Sequence, residues 1–375
     1  MRIAIVAREI VAMTGMAAIV LEHTRRFATH GAEVHLFAER LDVARIREAG
    51  GVPHALPTFP VGRHFKRRVF AWSAARAVRR AHCDLVWGQG DILDQDVLSM
   101  HNCVHAAHEA VHGRPLSARS SVGALHARIL REHRFTRMIA NSALMKDDVV
   151  RRFGVPEGDV SAIHPGYDPR RFRPQDRAAL GAPLRRELGL AESTVLIGLV
   201  TSGDFAKRGL DRLLEAVRLV SAPVRERTRL VVVGRDTRWR PRADLARVAE
   251  GATFLPPAPE VERVYHALDV LVHPALFEEF GMTVQEAMAC GVPVVTSARV
   301  GASELLQRVA PERVLEAPEP HAIARALEPL VLDPSERALA STASLEACAD
   351  SSWDANFRAT RRVLDLARAR SASAV

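Results

Sequence analysis

The chain has 375 residues, which exceeds one ordinary hydrophobic core and predicts two domains. Apolar residues make up 48% and charged residues 26% of it, a composition that excludes a disordered or fibrous protein, and no apolar run reaches the roughly 20 residues that span a bilayer. The formal net charge of +8 is concentrated in residues 1–165, where 23 Lys and Arg face 16 Asp and Glu, so this half would attract polyanions.

Short apolar strands alternate with helical stretches in the first half of the chain. Ile3–Ala7 predicts a strand and not an export signal, because Arg8 and Glu9 interrupt the apolar run. Further strands are predicted at 33–37, 84–87 and 138–141. Buried strands separated by helices form parallel sheets that are covered on both faces, so this half predicts a doubly wound α/β domain.

A stretch rich in Pro and Gly, residues 163–174, interrupts this pattern and predicts a domain boundary. The pattern then restarts, with strands predicted at 195–200, 230–233, 253–255, 270–273 and 292–296. We therefore expect domains over 1–165 and 166–350, and a C-terminal helix within 351–375 that packs back toward the first domain. Two doubly wound domains in tandem would present their ligand-binding strand ends to a cleft.

The four cysteines show no paired spacing and no CxxC motif, which argues against a disulfide framework or a zinc site and fits a reducing cytoplasm. Arginines cluster at Arg63–Arg80 and Arg114–Arg137. One hypothesis is that these clusters contact an anionic membrane surface, with Phe65, Phe70 and Trp72 entering the headgroup layer. The alternative is an arginine-rich composition without function. Nucleic acid is not expected as a partner, because aromatic residues are few and no recognition motif is present.

A glycine-containing loop, Ser202–Gly209, joins a predicted strand to a helix that begins near Leu210. Exposed backbone N–H groups and the helix dipole would favour an anion there, and Lys207 and Arg208 would strengthen its binding. The loop predicts a phosphate site only weakly, because it matches neither the Walker A nor the GxGxxG pattern. An exposed turn with solvated charges is the alternative.

Two carboxylates, Glu278 and Glu286, lie eight positions apart around a Phe-Gly pair. Glu278 follows a predicted strand, in a loop where ligands of such sheets bind. Glu286 has a structural alternative, since Thr283 to Glu286 matches a capping box. Two carboxylates beside the exposed amides of residues 280–282 would bind a molecule that carries hydroxyls and a phosphate. A sugar nucleotide has both.

The stretch from Glu278 to Val295 resembles the E-x7-E signature of retaining GT-B glycosyltransferases of family 4. Flanking motifs at 164–172, 254–274 and 300–304 also resemble that family, so the likeness covers most of residues 160–305. The loop Ser202–Arg212 is most similar to that of the glucosyltransferases of lipopolysaccharide core assembly. The resemblance implies the GT-B fold, α/β with two Rossmann-like domains that face a central cleft.

The family pattern also implies roles for individual residues. Glu286 would bind the ribose, Glu278 the sugar hydroxyls, and Lys207 with Arg208 the diphosphate. Gly203 stands where most members carry an additional arginine. His101 lies about where the family often has a histidine facing the reacting sugar, although a structural histidine is an equal alternative. The implied catalytic residues are His101, Glu278, Lys207 and Arg208. The implied donor-binding residues are Gly15, Gly203, Lys207, Arg208, Gly234, Glu278, Phe280, Gly281, Met282, Thr283 and Glu286.

The resemblance implies a retaining, metal-independent transferase that moves a hexose from a nucleotide sugar, expected to be UDP-linked, to a cell-envelope glycan or glycolipid such as lipopolysaccharide core. No cofactor is expected, and the DxD at Asp94–Asp96 lies away from the donor motifs. The enzyme would be cytoplasmic, with peripheral contact at the inner face of the inner membrane as one hypothesis. A GT-B sugar synthase with a small soluble acceptor and a non-catalytic nucleotide-sugar-binding protein are the alternatives. A retaining hydrolase is disfavoured, because the spacing of Glu278 and Glu286 does not secure the roughly 5 to 5.5 Å that its two carboxyls need.

Overall fold

The computed structural model describes residues 1–11, 15–60, 62–175 and 177–373. The chain folds into two compact units. The first comprises Met1–Glu109, Arg114–Pro165 and Trp353–Val375, and the second comprises Ala110–Gly113 and Gly166–Ser352. Each unit is built around its own parallel sheet, so each is described by itself.

Residues 1–165 supply the strands of the first unit, and the order of their elements alternates as the sequence predicts. The strands are β1 (Arg2–Val6), β2 (Glu9–Ile10), β3 (Glu33–Ala38), β4 (Arg40–Leu41), β5 (Gly51–Ala55), β6 (Leu85–Gly88), β7 (Val97–Met100), β8 (Arg137–Ala140) and β9 (Val160–Ala162). The helices are α1 (Gly15–Thr29), α2 (Val43–Glu48), α3 (Arg63–Arg80), α4 (Val104–His112), α5 (Ser121–Arg131) and α6 (Ala143–Phe153).

The main sheet of the first unit has the order β5-β3-β1-β6-β7-β8-β9 over the described residues. Its strands run parallel, with Ile5 of β1 opposite Leu36 of β3 and Trp87 of β6. Ile3 and Ile5 are fully buried, because helices cover both faces of a parallel sheet. The strand order changes direction at β1. The carboxyl ends of β1, β6 and β7 therefore lie at the edge where a doubly wound sheet binds ligands.

Helix α3 buries one stripe of its side chains, while Arg68, Arg76 and Arg79 are exposed. Phe70, Ala74 and Val78 recur every fourth residue and pack against the sheet, with Phe70 only 1% exposed. The expectation that Phe70 enters a headgroup layer is therefore wrong, because this ring belongs to the core. Phe65 and Trp72 are 58% and 61% exposed and stay available for such a contact.

The C-terminal helix α17 (Trp353–Ser373) belongs to the first unit. Phe357, Val363 and Leu364 are buried in the same apolar cluster as β1 and α1. At its beginning, the Asn356 side-chain amide donates to the His164 carbonyl at 2.7 Å. The chain therefore leaves the first unit after Pro165 and returns to it at Trp353.

The second unit repeats the alternation of strands and helices. Its strands are β10 (Val195–Val200), β11 (Thr228–Val233), β12 (Thr253–Leu255), β13 (Val270–His273), β14 (Val294–Ser297) and β15 (Val314–Leu315). Its helices are α7 (Arg177–Leu180), α8 (Ala182–Glu187), α9 (Leu210–Leu219), α10 (Ala222–Arg227), α11 (Ala246–Glu250), α12 (Val261–Ala267), α13 (Met282–Ala289), α14 (Ser303–Leu306), α15 (Pro320–Leu332) and α16 (Pro334–Cys348). Short 3-10 helices occur at Ala243–Leu245 and Pro311–Arg313 of this unit and at Glu157–Asp159 of the first unit.

The sheet of the second unit has the order β12-β11-β10-β13-β14-β15 in the described chain and is parallel. The order reverses at β10, so the loops after β10 and β13 meet at the carboxyl edge of neighbouring strands. The prediction of two Rossmann-like doubly wound sheets is confirmed. Within the described part of the chain, every helix is too short or too polar to cross a bilayer.

The junction between the loop after β10 and helix α9 depends on Gly209. This residue adopts φ +74°, and a Cβ atom built on it would lie 2.0 Å from the Pro274 carbonyl oxygen. Loss of the glycine would force the two loops apart as well as strain the backbone. The two effects can be separated with Gly189, which has φ +64° but nothing within 4 Å of its Cβ position.

We expect Gly209→Ala to lower the free energy of unfolding by more than the roughly 1 kcal/mol that a strained φ alone costs in Gly189→Ala. Urea denaturation of both variants measures the difference. Equal destabilisation by the two substitutions would show that the approach to Pro274 is not tight.

Candidate active site

The loop after β10 is shaped by hydrogen bonds of its own. The Thr201 hydroxyl donates to the Gly203 carbonyl at 2.9 Å and accepts from the Gly203 N–H at 3.2 Å. Farther along, the Phe205 N–H donates to the Asp236 carboxylate at 3.1 Å. Helix α9 begins at Leu210, as predicted, so Lys207 and Arg208 lie directly before its N-terminus. Exposed N–H groups and the helix dipole favour an anion at this point.

Gly203 and Gly234 allow this loop to lie close to the loop after β11. A Cβ atom on Gly203 would be 2.7 Å from the Arg235 carbonyl oxygen, and one on Gly234 would be 2.7 Å from that of Thr201. Any side chain at either position would collide with backbone, which cannot move aside as a flexible side chain would. The two glycines therefore bring the loops after β10 and β11 together, side by side.

The loop after β13 carries Glu278, and backbone hydrogen bonds connect it to residues 299–301 and to the loop before α9. The Glu278 N–H donates to the Arg299 carbonyl at 2.9 Å, and the Gly301 N–H donates to the Glu278 carbonyl at 3.0 Å. Toward α9, the Leu276 N–H donates to the Lys207 carbonyl at 2.9 Å. These backbone contacts fix Glu278 beside the two cations.

Two ion pairs connect the loops. Lys207 Nζ lies 3.0 Å from Glu279 Oε2, and Arg208 pairs with Glu278. The Arg208 Nε–H also donates to the Thr201 hydroxyl at 3.3 Å. All four charged side chains are less than a fifth exposed, so the attraction within each pair is screened far less than at the surface.

His273, the last residue of β13, is buried behind these pairs. Its Nε2 lies 3.8 Å from Glu278 Oε2. Burial, with the charges of Arg208 and Lys207, lowers its pKa to about 3, so the imidazole is neutral at physiological pH. It adds no third cation to the cluster.

Helix α13 begins at Met282, after Gly281 in the left-handed conformation, and no side chain caps it. The predicted capping box is therefore wrong, because Thr283 is inside the first turn and its hydroxyl caps nothing there. The Glu286 carboxylate instead accepts a hydrogen bond from the Tyr265 hydroxyl at 2.8 Å. The backbone N–H groups of Met282 and Thr283 lie at the start of this helix and therefore have no acceptor within it.

Glu286 is set in an apolar surrounding that disfavours its charge. Burial raises its pKa to about 7, although the hydrogen bond from Tyr265 acts in the opposite direction. Burial also raises the pKa of Tyr265 well above its usual value, so the phenol stays a donor. The carboxyl of Glu286 thus has a pKa near neutral pH, and one of its oxygens accepts the hydrogen bond from Tyr265.

The structure brings together the predicted residues of the second unit around α9 and α13. These residues are Gly203, Lys207, Arg208, Gly234, Glu278, Phe280, Gly281, Met282, Thr283 and Glu286. Three further residues complete the arrangement but were not predicted as site residues. Tyr265 holds Glu286, Glu279 pairs with Lys207, and Thr201 orients Arg208. The doubled carboxylate in Phe277-Glu278-Glu279-Phe280 was the available signal for Glu279.

The two predicted site residues of the first unit, Gly15 and His101, lie near the carboxyl ends of its strands. Gly15 is the first residue of α1, and its neighbour Thr14 lies outside the described residues. His101 follows β7, and its Nδ1 accepts from the Asn141 amide at 3.3 Å. Its Nε2 is then the protonated nitrogen that donates to Gln89 Oε1 at 2.8 Å.

His101 lines a polar pocket of about 210 Å³ in the first unit. The pocket is also lined by Arg8, Arg67, Asp91 and His126. Arg67 pairs with Asp91 at 2.6 Å. Burial lowers the pKa of His126 to about 4, so the two arginines are the pocket's positive charges at neutral pH.

The aspartates near the DxD each have separate partners. Asp96 accepts the Val86 N–H at 2.8 Å, Asp91 pairs with Arg67, and Asp94 lies 3.8 Å from Arg134. In the described ranges, no three His, Cys, Asp or Glu side chains are grouped as metal ligands.

Comparisons with known proteins agree with this fold. The family model described as "Glycosyltransferase Family 4" matches residues 13–171, and "Glycosyl transferases group 1" matches residues 185–345. A relative named D-inositol 3-phosphate glycosyltransferase, from Salinispora arenicola, is 29% identical over 91% of this chain and 84% of its own.

Solved structures extend the likeness over both units. WaaG, a glycosyltransferase involved in lipopolysaccharide biosynthesis, matches with TM-score 0.79 and 19% identity over 96% of this chain and 99% of its own. HepE of Anabaena, solved with UDP and glucose, matches with TM-score 0.74 and 18% identity over 97% of this chain and 99% of its own. Paired Rossmann-like sheets of this kind define the GT-B class of glycosyltransferases. The chain belongs to family 4 of these enzymes, and its recognition from sequence is confirmed.

The pKa of Glu286 gives a testable pH dependence. A donor whose ribose hydroxyls bind the ionised carboxylate should bind more tightly as pH rises through about 7, with up to about tenfold gain between pH 6 and pH 8. UDP-glucose is a suitable probe, because its diphosphate diester does not titrate in this range. Calorimetric titration at several pH values measures the profile.

Two variants control this measurement. Glu286→Gln should flatten the profile, and Tyr265→Phe should move its midpoint to higher pH, because the hydrogen bond that opposes the raised pKa is lost. A profile of the unaltered protein that is already flat would show that the donor does not engage Glu286.

Proposed function

We propose that this enzyme transfers a hexose, with retention of anomeric configuration, from a UDP-sugar to a hydroxyl of a cell-envelope glycan or glycolipid. The observation that carries the proposal is the paired cluster of Lys207 with Glu279 and Arg208 with Glu278, at the N-terminus of α9. It offers two cations for a diphosphate and a carboxylate for sugar hydroxyls. Glu286, held by Tyr265, offers the acceptor for a ribose.

Donor binding would exchange ion-pair partners within this cluster. The diphosphate replaces Glu278 and Glu279 as the partner of the cations, because each of its oxygens accepts charge-assisted hydrogen bonds as a carboxylate does. Glu278, released from Arg208, is then able to accept hydrogen bonds from the sugar. Without the donor, the carboxylates keep the two cations from being buried unpaired, which would be costly.

Leaving-group stabilisation follows from the same charges. As the bond between sugar and diphosphate breaks, negative charge grows on the departing phosphate. The positive charges of Lys207 and Arg208 and the N-terminal dipole of α9 stabilise this charge. Their positions are fixed before the reaction by Thr201 and by the backbone contacts of the Glu278 loop. Such preorganised charges lower the barrier, and we propose that the enzyme needs no metal for this step.

Support for the donor and the retaining outcome comes from likeness. HepE was solved with UDP and glucose, and the E-x7-E signature at Glu278 and Glu286 is that of retaining members of family 4. A hexose on UDP is accordingly the proposed donor. His101, in the pocket of the first unit, is the proposed contact with the reacting sugar or its acceptor.

A second acceptor class also has support. The relative from Salinispora arenicola is named for D-inositol 3-phosphate, which is a small phosphorylated acceptor. In the His101 pocket, Arg8 pairs with Glu9 and Arg67 with Asp91, so a phosphorylated acceptor there would have to replace these carboxylates as their partner. A soluble polyol phosphate is therefore the alternative acceptor, and a nucleotide-sugar-binding protein without turnover is disfavoured by the family assignment.

The proposed site of action is the cytoplasm, at the inner face of the inner membrane. Helix α3 carries exposed basic side chains, and the exposed aromatic side chains of Phe65 and Trp72 lie between them. Both features support peripheral contact with anionic lipid. Lipopolysaccharide core would be the acceptor in a cell that makes it, as the likeness to WaaG suggests.

Matched variants test the donor site. Lys207→Ala should weaken UDP-sugar binding at least about tenfold, which corresponds to a lost charged hydrogen bond of roughly 1.5 to 3 kcal/mol. Lys146→Ala is the control, since Lys146 pairs with the exposed Glu157 in the first unit. The double variant Lys207→Met/Glu279→Gln removes both charges of the buried pair. It should recover the stability lost in Lys207→Ala while donor affinity stays low.

Turnover with UDP-glucose should persist in excess EDTA, and NMR of the product should show the anomeric configuration of the donor. Activity that is lost on chelation and restored by Mn²⁺ would contradict the metal-free step. Equal donor affinity of Lys207→Ala and Lys146→Ala would show that the paired cluster does not bind the donor.

Vesicle flotation tests the membrane proposal. The protein should float with vesicles that contain phosphatidylglycerol at low salt but not with purely zwitterionic ones, because several cations each contribute on the order of 1 kcal/mol near an anionic surface. Binding should weaken toward 1 M salt, where the Debye length falls to roughly 3 Å. Equal flotation with both lipids, or none with either, would refute an electrostatic contact.

A further inference from the structure

Helices α3 and α5 of the first unit leave a groove between them with a volume of about 830 Å³. Small and apolar side chains form its floor, among them Ala71, Ala75 and Val78 of α3 and Leu125 of α5. The volume falls in the range of pockets that hold one organic molecule, roughly 300 to 1,000 Å³. A lone phosphate or other small anion would leave most of this apolar floor uncovered.

Arginines surround the apolar floor. Arg67, Arg68, Arg79, Arg119 and Arg128 line the groove, against one acid, Asp94. Arg67 pairs with Asp91 and Arg128 with Glu132. Among the residues that the structure describes, Arg68, Arg79 and Arg119 have no carboxylate within 4.0 Å, although each is exposed. The groove therefore combines an apolar interior with uncompensated positive charge.

Trp72 stands at the side of this groove with 61% of its surface exposed. A tryptophan with one face on apolar groups and an N–H toward polar ones suits the boundary of an amphiphilic ligand. The chemistry that complements the groove is accordingly a hydrocarbon portion next to an anionic group. A flat membrane surface would contact the arginines but could not fill the concave floor.

The groove adjoins the His101 pocket. Arg67 lines both cavities, and its partner Asp91 belongs to the wall of the polar one. A molecule whose hydrocarbon portion lies in the groove would thus present its polar end toward His101. Both cavities are formed within the first unit, where the acceptor of the proposed reaction is expected.

We propose that the α3–α5 groove binds the hydrocarbon portion of an anionic amphiphilic acceptor, with the anion held by Arg68 and Arg119, which line the groove near the beginnings of α3 and α5. This inference rests on the proposed glycosyl transfer, since it names the acceptor of that reaction. It selects a lipid-linked acceptor over the soluble polyol phosphate. Binding here concerns a single lipid molecule and is distinct from attraction of the whole protein to a membrane.

The test uses dihexanoyl phosphatidic acid below its micelle concentration, titrated calorimetrically into the full-length protein. We expect saturable binding that falls at least about tenfold in Arg68→Glu/Arg119→Glu, because the charges that contact the anion are reversed. Ala124→Trp, at an exposed position that lines the groove, should fill it and weaken binding as much. The matched control is Arg76→Glu, exposed on α3 but outside the groove lining, which should bind as the unaltered protein does.

Three results of the lipid titrations alone would overturn the proposal. They are absence of binding to the unaltered protein, an equal loss in Arg76→Glu, and equal affinity for the neutral dihexanoyl phosphatidylcholine. Displacement of the lipid by an equimolar concentration of inorganic phosphate would also overturn it, because the hydrocarbon portion would then contribute nothing. UDP-glucose affinity, measured on every variant, reports the second unit separately. A protein that binds the lipid but no nucleotide sugar would refute the proposed function and not the groove.

Discussion

The pairing of Lys207 with Glu279 and Arg208 with Glu278 is the interaction on which the second unit's site depends. Four charges are largely withdrawn from water there, and a single unpaired charge in such a place destabilises a protein by about 3 to 5 kcal/mol. The carboxylates therefore stabilise the two loops, and in the proposed reaction a diphosphate would take their place. The two adjacent acidic residues at 278–279 thus match the two adjacent cations at 207–208.

Backbone geometry makes that pairing possible. The cations come from the loop after β10 and the carboxylates from the loop after β13, and neighbouring parallel strands bring both loops to one edge of the sheet. Gly209 permits the contact with Pro274, while Gly203 and Gly234 bring the loop after β11 against the same region. Charge and close approach thus support each other, because the ion pairs hold loops that only glycine allows to meet.

The sequence was sufficient for the fold and for the cluster's main residues, because both follow from local patterns. Apolar strands between helices predict parallel sheets, and Glu278, Lys207 and Arg208 lie in short motifs. Contacts between distant residues were not accessible in this way. Tyr265 reaches Glu286 across 21 residues, whereas the capping box, which was the local structural alternative for Glu286, was wrong. The prediction for Phe70 was wrong for a similar reason. Which face of α3 is buried depends on the sheet against which the helix packs, and that sheet comes from distant parts of the chain. The groove depends on the separation of two helices, which no local pattern encodes.

Helix α17 has a consequence for how the protein is made. Its side chains Phe357, Val363 and Leu364 complete the apolar cluster around β1, yet the ribosome supplies them only after the whole second unit. The second unit is continuous from Gly166 to Ser352 apart from a four-residue segment, so most of it can fold during synthesis. The first unit must instead wait with an uncovered sheet face until residues 353–373 have been synthesised. Its nascent form is the species most exposed to aggregation, and the one for which a chaperone would matter.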